Sequence, residues 1–203
     1  MKNRLFLFIV LSFGLAFVIG CNEDELLTKY PKDSPNADNF FVNANSARQA
    51  AQSPFAIMTQ IPHDFKRYWV TYLDIFSDDS FTRAVNDRMP ALHWDADATW
   101  YHWYSWYFNF FKGINNANFA IDGIPTSSDP KFTAEQQAPY IAVAKLAKGF
   151  CYLELTTLYG DVTYFPHFLK SPDSAFVART PKSEVMTRLI EDLTYAKDNL
   201  PHS

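Results

Sequence analysis

Between Asp78 and Trp100, this 203-residue chain gathers the side chains best equipped for chemistry: Asp78, Asp79, Arg83, Arg88, His93, Trp94 and Trp100. Carboxylate, guanidinium and imidazole groups exchange hydrogen bonds with hydroxyls, and indole rings cover apolar C–H faces. Together they suit non-covalent capture of a sugar-like surface, provided the polar groups are fixed in a concave site. Each residue also has a plain structural reading. Asp78 and Asp79 can be a helix C-terminal loop, and Arg83, Arg88, His93 and Trp94 can be solvated or locally packed. Covalent chemistry finds less support. Hydrolysis of a glycosidic bond needs two carboxyl groups spaced across it, one with a raised pKa. The chain has no HExxH, no GxSxG and no phosphate-binding glycine loop. Its five histidines, His63, His93, His102, His167 and His202, are scattered. His93-x-Asp95 offers two metal ligands without a third, and neither Cys21 nor Cys151 sits in a CxxC pair. The expectation is a binding protein with no cofactor and no metal. A lipid-anchored glycan-degrading enzyme and a helical-repeat scaffold that binds only protein are the competing classes.

The elements that must position these residues belong to a folded protein. Hydrophobic residues make up 48% of the chain and aromatic ones 17%, more than a disordered segment carries. The net charge of −4 and the absence of any Lys/Arg-rich run exclude nucleic acid as a partner.

The first segment stands apart from the fold. Lys2 and Arg4 precede an apolar stretch from Leu5 to Ile19, the layout of an export signal and short for a spanning helix. Val18-Ile19-Gly20-Cys21 resembles the lipobox of bacterial lipoproteins, which implies cleavage before Cys21 and acylation of its thiol. Cleavage would remove Lys2 and Arg4 and take the net charge from −4 to −6. Residues 1–20 are read as signal peptide, 21–39 as a polar, Pro-containing tether and 40–203 as the folded domain.

Within that domain the spacing predicts a helix from Ala44 to Thr59, capped at Asn45 and interrupted by Pro54. An apolar segment follows from Phe65 to Phe76, and then an irregular loop from Phe81 to Asp97. Trp100 to Phe111, written WYHWYSWYFNFF, is read as a helix buried on most sides. His102, Ser105, Asn109 and Lys112 form its polar stripe, and Trp103 and Tyr104 are assigned to the core. This helix runs through Ile121 and ends at Gly123-Ile124-Pro125, with Asn115, Asn116 and Asn118 expected to satisfy neighbouring backbone. A second long helix spans Ala134 to Leu158, with Pro139 near its start and small residues Ala144, Ala147, Gly149 and Cys151 allowing close approach. Thr180-Pro181 introduces a last helix from Val185 to Leu200, with the proline at the first helical position. The fold class is all-α, with imperfect helix pairs similar to tetratricopeptide repeats.

Several of these pieces, in order, resemble the N-terminal half of SusD/RagB proteins. They are the lipobox cysteine, Ser77-Asp78-Asp79, Trp100-x-x-Trp103-Tyr104, Ile114-Asn115-Asn116-Ala117-Asn118, Phe150-Cys151-Tyr152-Leu153, Leu158-Tyr159-Gly160-Asp161-Val162 and Arg179-Thr180-Pro181. Where the family commonly has Gly-Glu-Ala ahead of Arg-Ala-x-x-Tyr, this chain has Ala142-Val143-Ala144 and Lys148; Thr163 replaces the usual proline. Family members continue well beyond the Leu200-Pro201 close to the end of this sequence, which implies a fragment or a truncated product. The resemblance implies a SusD-type helical fold and an outer-membrane lipoprotein anchored through Cys21. Such a protein would capture an oligosaccharide or similar nutrient outside the cell and deliver it to a SusC-like TonB-dependent transporter.

Overall fold

A computed structural model of the protein describes residues 39–60, 74–77, 79–81 and 89–201. Residues 1–38 with Cys21, most of the apolar segment 65–76, and Asp78, Arg83 and Arg88 lie outside the described residues. Residues Phe40–Ser203 form one compact unit. The helices are α1 (Ala44–Gln60), α2 (Met89–His93), α3 (Tyr101–Gly123), α4 (Ala134–Tyr159) and α5 (Lys182–Asn199), with 3-10 turns at Ile124–Thr126 and Pro172–Ala175. The fold is all-α: among the described residues the β structure is one isolated bridge, Val162 to Thr180.

Contacts along the helices fix their directions. Tyr159 meets Trp103 through a 2.6 Å hydrogen bond, and Ala144 shares a buried cluster with Ala120, so α4 runs antiparallel to α3. Thr156 touches Met186 while Lys145 pairs with Asp192, so α5 runs antiparallel to α4. Successive antiparallel pairs of this kind are the arrangement of helical repeats. The main core gathers Trp106, Phe110 and Ile114 of α3, Cys151, Tyr152 and Leu155 of α4, and Val185 and Leu189 of α5. A second cluster joins Phe41, Ala47 and Ala50 to Ala120, Ile124 and Phe132. A Cβ built on Gly123 would lie 1.9 Å from the Phe41 ring, so only glycine lets that ring cover the end of α3.

Local chemistry departs from the sequence expectations at four places. The cap of α1 is Asn43 rather than Asn45, for its Oδ1 accepts the N–H groups of Asn45 at 2.9 Å and Ser46 at 3.1 Å. Pro54 does not interrupt α1. The Ala50 carbonyl that Pro54 cannot engage accepts the Ser53 hydroxyl at 2.8 Å instead. Pro139 lies in the second turn of α4, beyond the first-turn positions where a missing N–H is free. At α5 the proline is the cap, one position earlier than expected, and Thr180 donates its N–H to Val162 at 2.9 Å.

The aromatic helix also corrects a core assignment. Trp106, Phe110, Ile114 and Ala117 recur at helical spacing and set the buried side. Tyr101, Tyr104 and Phe108 therefore point the opposite way, and Tyr104 is 66% exposed. His102 and Ser105, on the flank, are buried despite their polarity. Asn109 turns its amide back on its own helix, donating to the Ser105 carbonyl at 2.8 Å. Trp103 is half-buried against the core, as its spacing predicts.

Helix α4 stops at Gly160, whose φ of 72° lies in the left-handed region that glycine adopts without strain. The chain from Val162 to Leu169 then lies along the C-terminal half of α3. Asn115 accepts the Leu169 N–H at 2.9 Å, and Asn118 donates to the Phe165 and His167 carbonyls at 2.8 and 3.1 Å. Asp122 accepts the Phe168 N–H at 2.8 Å. Asn115 and Asn118 thus serve backbone, as expected of them.

Candidate functional site

Two short elements, packed on one aromatic stack, build the site. The first is the turn after Asp74. Ser77 donates its N–H and its hydroxyl to the Asp74 carbonyl at 3.1 and 2.6 Å, and its oxygen accepts the Asp79 N–H at 3.2 Å. The serine thus closes the turn and leaves the Asp79 side chain at the surface.

The second element is the end of α2. Trp94 donates to the Ala91 carbonyl at 3.4 Å and Asp95 to the Pro90 carbonyl at 3.0 Å, the paired bonds of a Schellman motif. Glycine usually takes the left-handed position of this motif. Here Trp94 holds it, with φ 57°, the one non-glycine residue with positive φ among the described residues. For an L-residue this conformation costs about 1–2 kcal/mol. The strain coincides with display of the indole, which is 72% exposed.

Phe76 links the two elements. Its ring meets Trp94 edge-on at 5.7 Å and Trp100 at 6.0 Å, and stacks on Trp103 at 5.8 Å. Between them opens a cavity of about 860 Å³, bordered by Phe76, Asp79, Ser80, Phe81, Leu92 and Trp94. A volume of this size, with aromatic walls and a few polar groups, is that of a small-molecule site.

The cavity brings Asp79 and Trp94 together and adds Phe81, 75% exposed, which the sequence reading passed over. Its signal was present, since a large aromatic directly behind Ser77-Asp78-Asp79-Ser80 has no core period to join. Trp100 does not border the cavity; it supports Phe76 from behind and packs on Trp103 and Trp106 at 5.3 and 5.8 Å. His93 is exposed and outside the lining. Asp78, Arg83 and Arg88 fall outside the described residues. Past the cavity, Asp97 accepts the Thr99 hydroxyl at 2.7 Å and its N–H at 2.8 Å, bonds that lower the Asp97 pKa and shape the turn into α3. Among the described residues, no group of three or more His, Cys, Asp or Glu is placed to hold a metal ion, and no helix is long and apolar enough to cross a membrane.

Residues 33–203 match the model of a SusD-like family described as starch-binding and associating with the outer membrane. The chain belongs to the SusD-like family. A SusD-like protein of Formosa agariphila is 21% identical over 87% of this chain and 35% of its own length. A SusD-like protein of Bacteroides ovatus is 22% identical over 98% of this chain and 35% of its own. The chain therefore spans about a third of the length of these SusD-like relatives. Among solved structures, a laminarin-binding SusD-like protein superposes with a TM-score of 0.67 at 21% identity, covering 79% of this chain and 35% of that one. A SusD-like carbohydrate-binding protein of Bacteroides fragilis gives 0.66 at 18% identity, covering 80% and 33%. At these identities the likeness establishes a shared SusD-like helical fold.

Proposed function

We propose that this SusD-like chain captures a glycan at the cavity between Asp79 and Trp94 and does not transform it. The observation that carries the reading is a tryptophan held in a strained backbone position so that its ring stands exposed beside a carboxylate. An indole lies against the apolar face of a pyranose, and a carboxylate accepts hydrogen bonds from its hydroxyls. The family description and the carbohydrate-binding names of the neighbouring structures support the same ligand class. In this reading Cys21 is acylated, so that the protein is anchored to the outer membrane facing outward, and the glycan passes to a SusC-like TonB-dependent transporter. Arg83, Arg88 and Asp78 would complete the polar side of the site.

Calorimetric titration with maltohexaose and laminarihexaose tests the capture step. Asp79→Ala combined with Trp94→Ala should weaken binding by at least tenfold while leaving the helical circular-dichroism signal intact, since one charge-assisted hydrogen bond and one platform are lost. Equal affinity of the double variant would overturn the assignment. Shorter oligosaccharides accumulating with the wild type would replace capture by hydrolysis. Anchoring is tested separately, by release of Cys21→Ala from the membrane fraction and by lipid on the wild-type N-terminal peptide in mass spectrometry.

A further inference from the structure

A second cavity, of about 550 Å³, opens between the starts of α1 and α4 and shares no residue with the one at Trp94. Its apolar part is Phe132, Pro139 and Tyr140, with the Tyr140 ring edge-on to Phe132 at 5.9 Å. Its polar part is Asp129, Lys131 and Gln136.

The local hydrogen bonds decide which of these groups remain for a ligand. One Asp129 oxygen accepts the Lys131 N–H at 2.9 Å, which leaves the other. Gln136 spends its oxygen on the Thr133 N–H at 3.0 Å, leaving its amide N–H₂ as a donor. The ammonium of Lys131 is exposed and takes part in no ion pair among the described residues. Side-chain caps already engage part of the backbone donors at both helix starts. Asn43 takes those of Asn45 and Ser46, and Thr133 takes that of Gln136 at 3.4 Å. A bare anion would thus meet one lysine and an adjacent carboxylate, a poor match.

We propose that this cleft is a second saccharide-binding site. A neutral, polyhydroxylated ring fits what is present: C–H faces against Tyr140 and Pro139, and hydroxyls that donate to Asp129 and accept from Lys131 and Gln136. One aromatic and three polar groups make this a weak, single-residue subsite, which catches a second stretch of a long glycan or a second chain. The choice of saccharide rests on these groups and stands or falls independently of the Trp94 cavity.

The test is a titration of the isotope-labelled protein with maltohexaose and laminarihexaose, followed by amide chemical shifts. In wild type and in Trp94→Ala, with at least one of the two sugars, shifts should cluster at residues 129–140 and titrate in the millimolar range. Asp129→Ala combined with Lys131→Ala, both near the surface, should weaken that phase by about tenfold and leave the Trp94 phase unchanged. No movement at residues 129–140 with either sugar overturns the proposal. So does movement that vanishes in Trp94→Ala, or that is unaffected by the Asp129/Lys131 double variant. Saturation of the cleft by free glycine betaine or lysine in place of sugar would assign it to a zwitterion and overturn it equally.

Discussion

The N–H of Phe165 donates to the Tyr152 hydroxyl at 2.7 Å, in the buried space between α4 and the chain that returns across α3. Beyond the single bridge at Val162, that chain has no secondary structure of its own to satisfy its backbone. Side chains of the two long helices do so instead, through Tyr152, Asn115, Asn118 and Asp122. Burial raises the Tyr152 pKa, and the hydrogen bond from the Phe165 N–H works the other way without cancelling it.

Tyr152→Phe keeps the ring in the core and removes only the acceptor. The Phe165 N–H is then buried without a partner, which costs about 1–3 kcal/mol. Urea unfolding should show a lower midpoint with an unchanged slope. An unchanged midpoint would mean that water reaches Phe165.

The strain at Trp94 separates two variants that both lose the indole. Trp94→Gly suits the left-handed position, whereas Trp94→Ala still carries a Cβ there. The glycine variant should be the more stable by about 1 kcal/mol in thermal unfolding, and both should lose oligosaccharide binding equally. Identical stabilities would show that the turn relaxes once the ring is gone.

On α3, Trp106→Ala removes a ring with no exposed surface and should cost about 3–5 kcal/mol. Tyr104→Ala removes one that is 66% exposed and, among the described residues, stacked on Phe108 alone, and should cost under about 1 kcal/mol. Comparable losses at both positions would reveal a cover over Tyr104.

How legible was this from sequence? The long helices were, because aromatic and small residues recur at helical spacing over α3 and α4, and Gly123 and Gly160 mark their ends. Which side of α3 faces the core was less so, since WYHWYSWYFNFF is aromatic everywhere outside one narrow polar stripe and the period alone does not choose between Tyr104 and Trp106. Compensated prolines were also hidden: Ser53 repairs the gap at Pro54 through a bond that leaves no periodic trace. At the site, Asp79 and Trp94 were identifiable by type. Their convergence was not, because it depends on a Schellman turn closed by tryptophan, a residue that signals no such turn.

Lys148 yields the last prediction. Its ammonium is buried between α4 and α5, 5.1 Å above the Tyr164 ring, 3.5 Å from the Pro166 carbonyl and 3.9 Å from Asp192. Burial pushes its pKa down to about 8; the Asp192 charge works the other way, and the neighbouring Lys145 adds to the depression. In the unfolded chain the same group titrates near 10.4. Below about pH 8 both states are charged and folding bears the full cost of burying that charge. Between about 8 and 10.4 the unfolded state holds the extra proton, so stability rises with pH. Cys151 and Tyr164 act in the opposite sense, for burial pushes both up to about 12, and their contribution is lost as pH climbs above their unfolded values. Lys148→Met isolates the lysine, since the other two groups are common to both proteins and Asp192 keeps Lys145 as a partner. Relative to Lys148→Met, the wild type should gain about 1 kcal/mol between pH 7.5 and 9, measured by urea unfolding. Parallel stability curves across that range would show that the Lys148 ammonium is solvated after all.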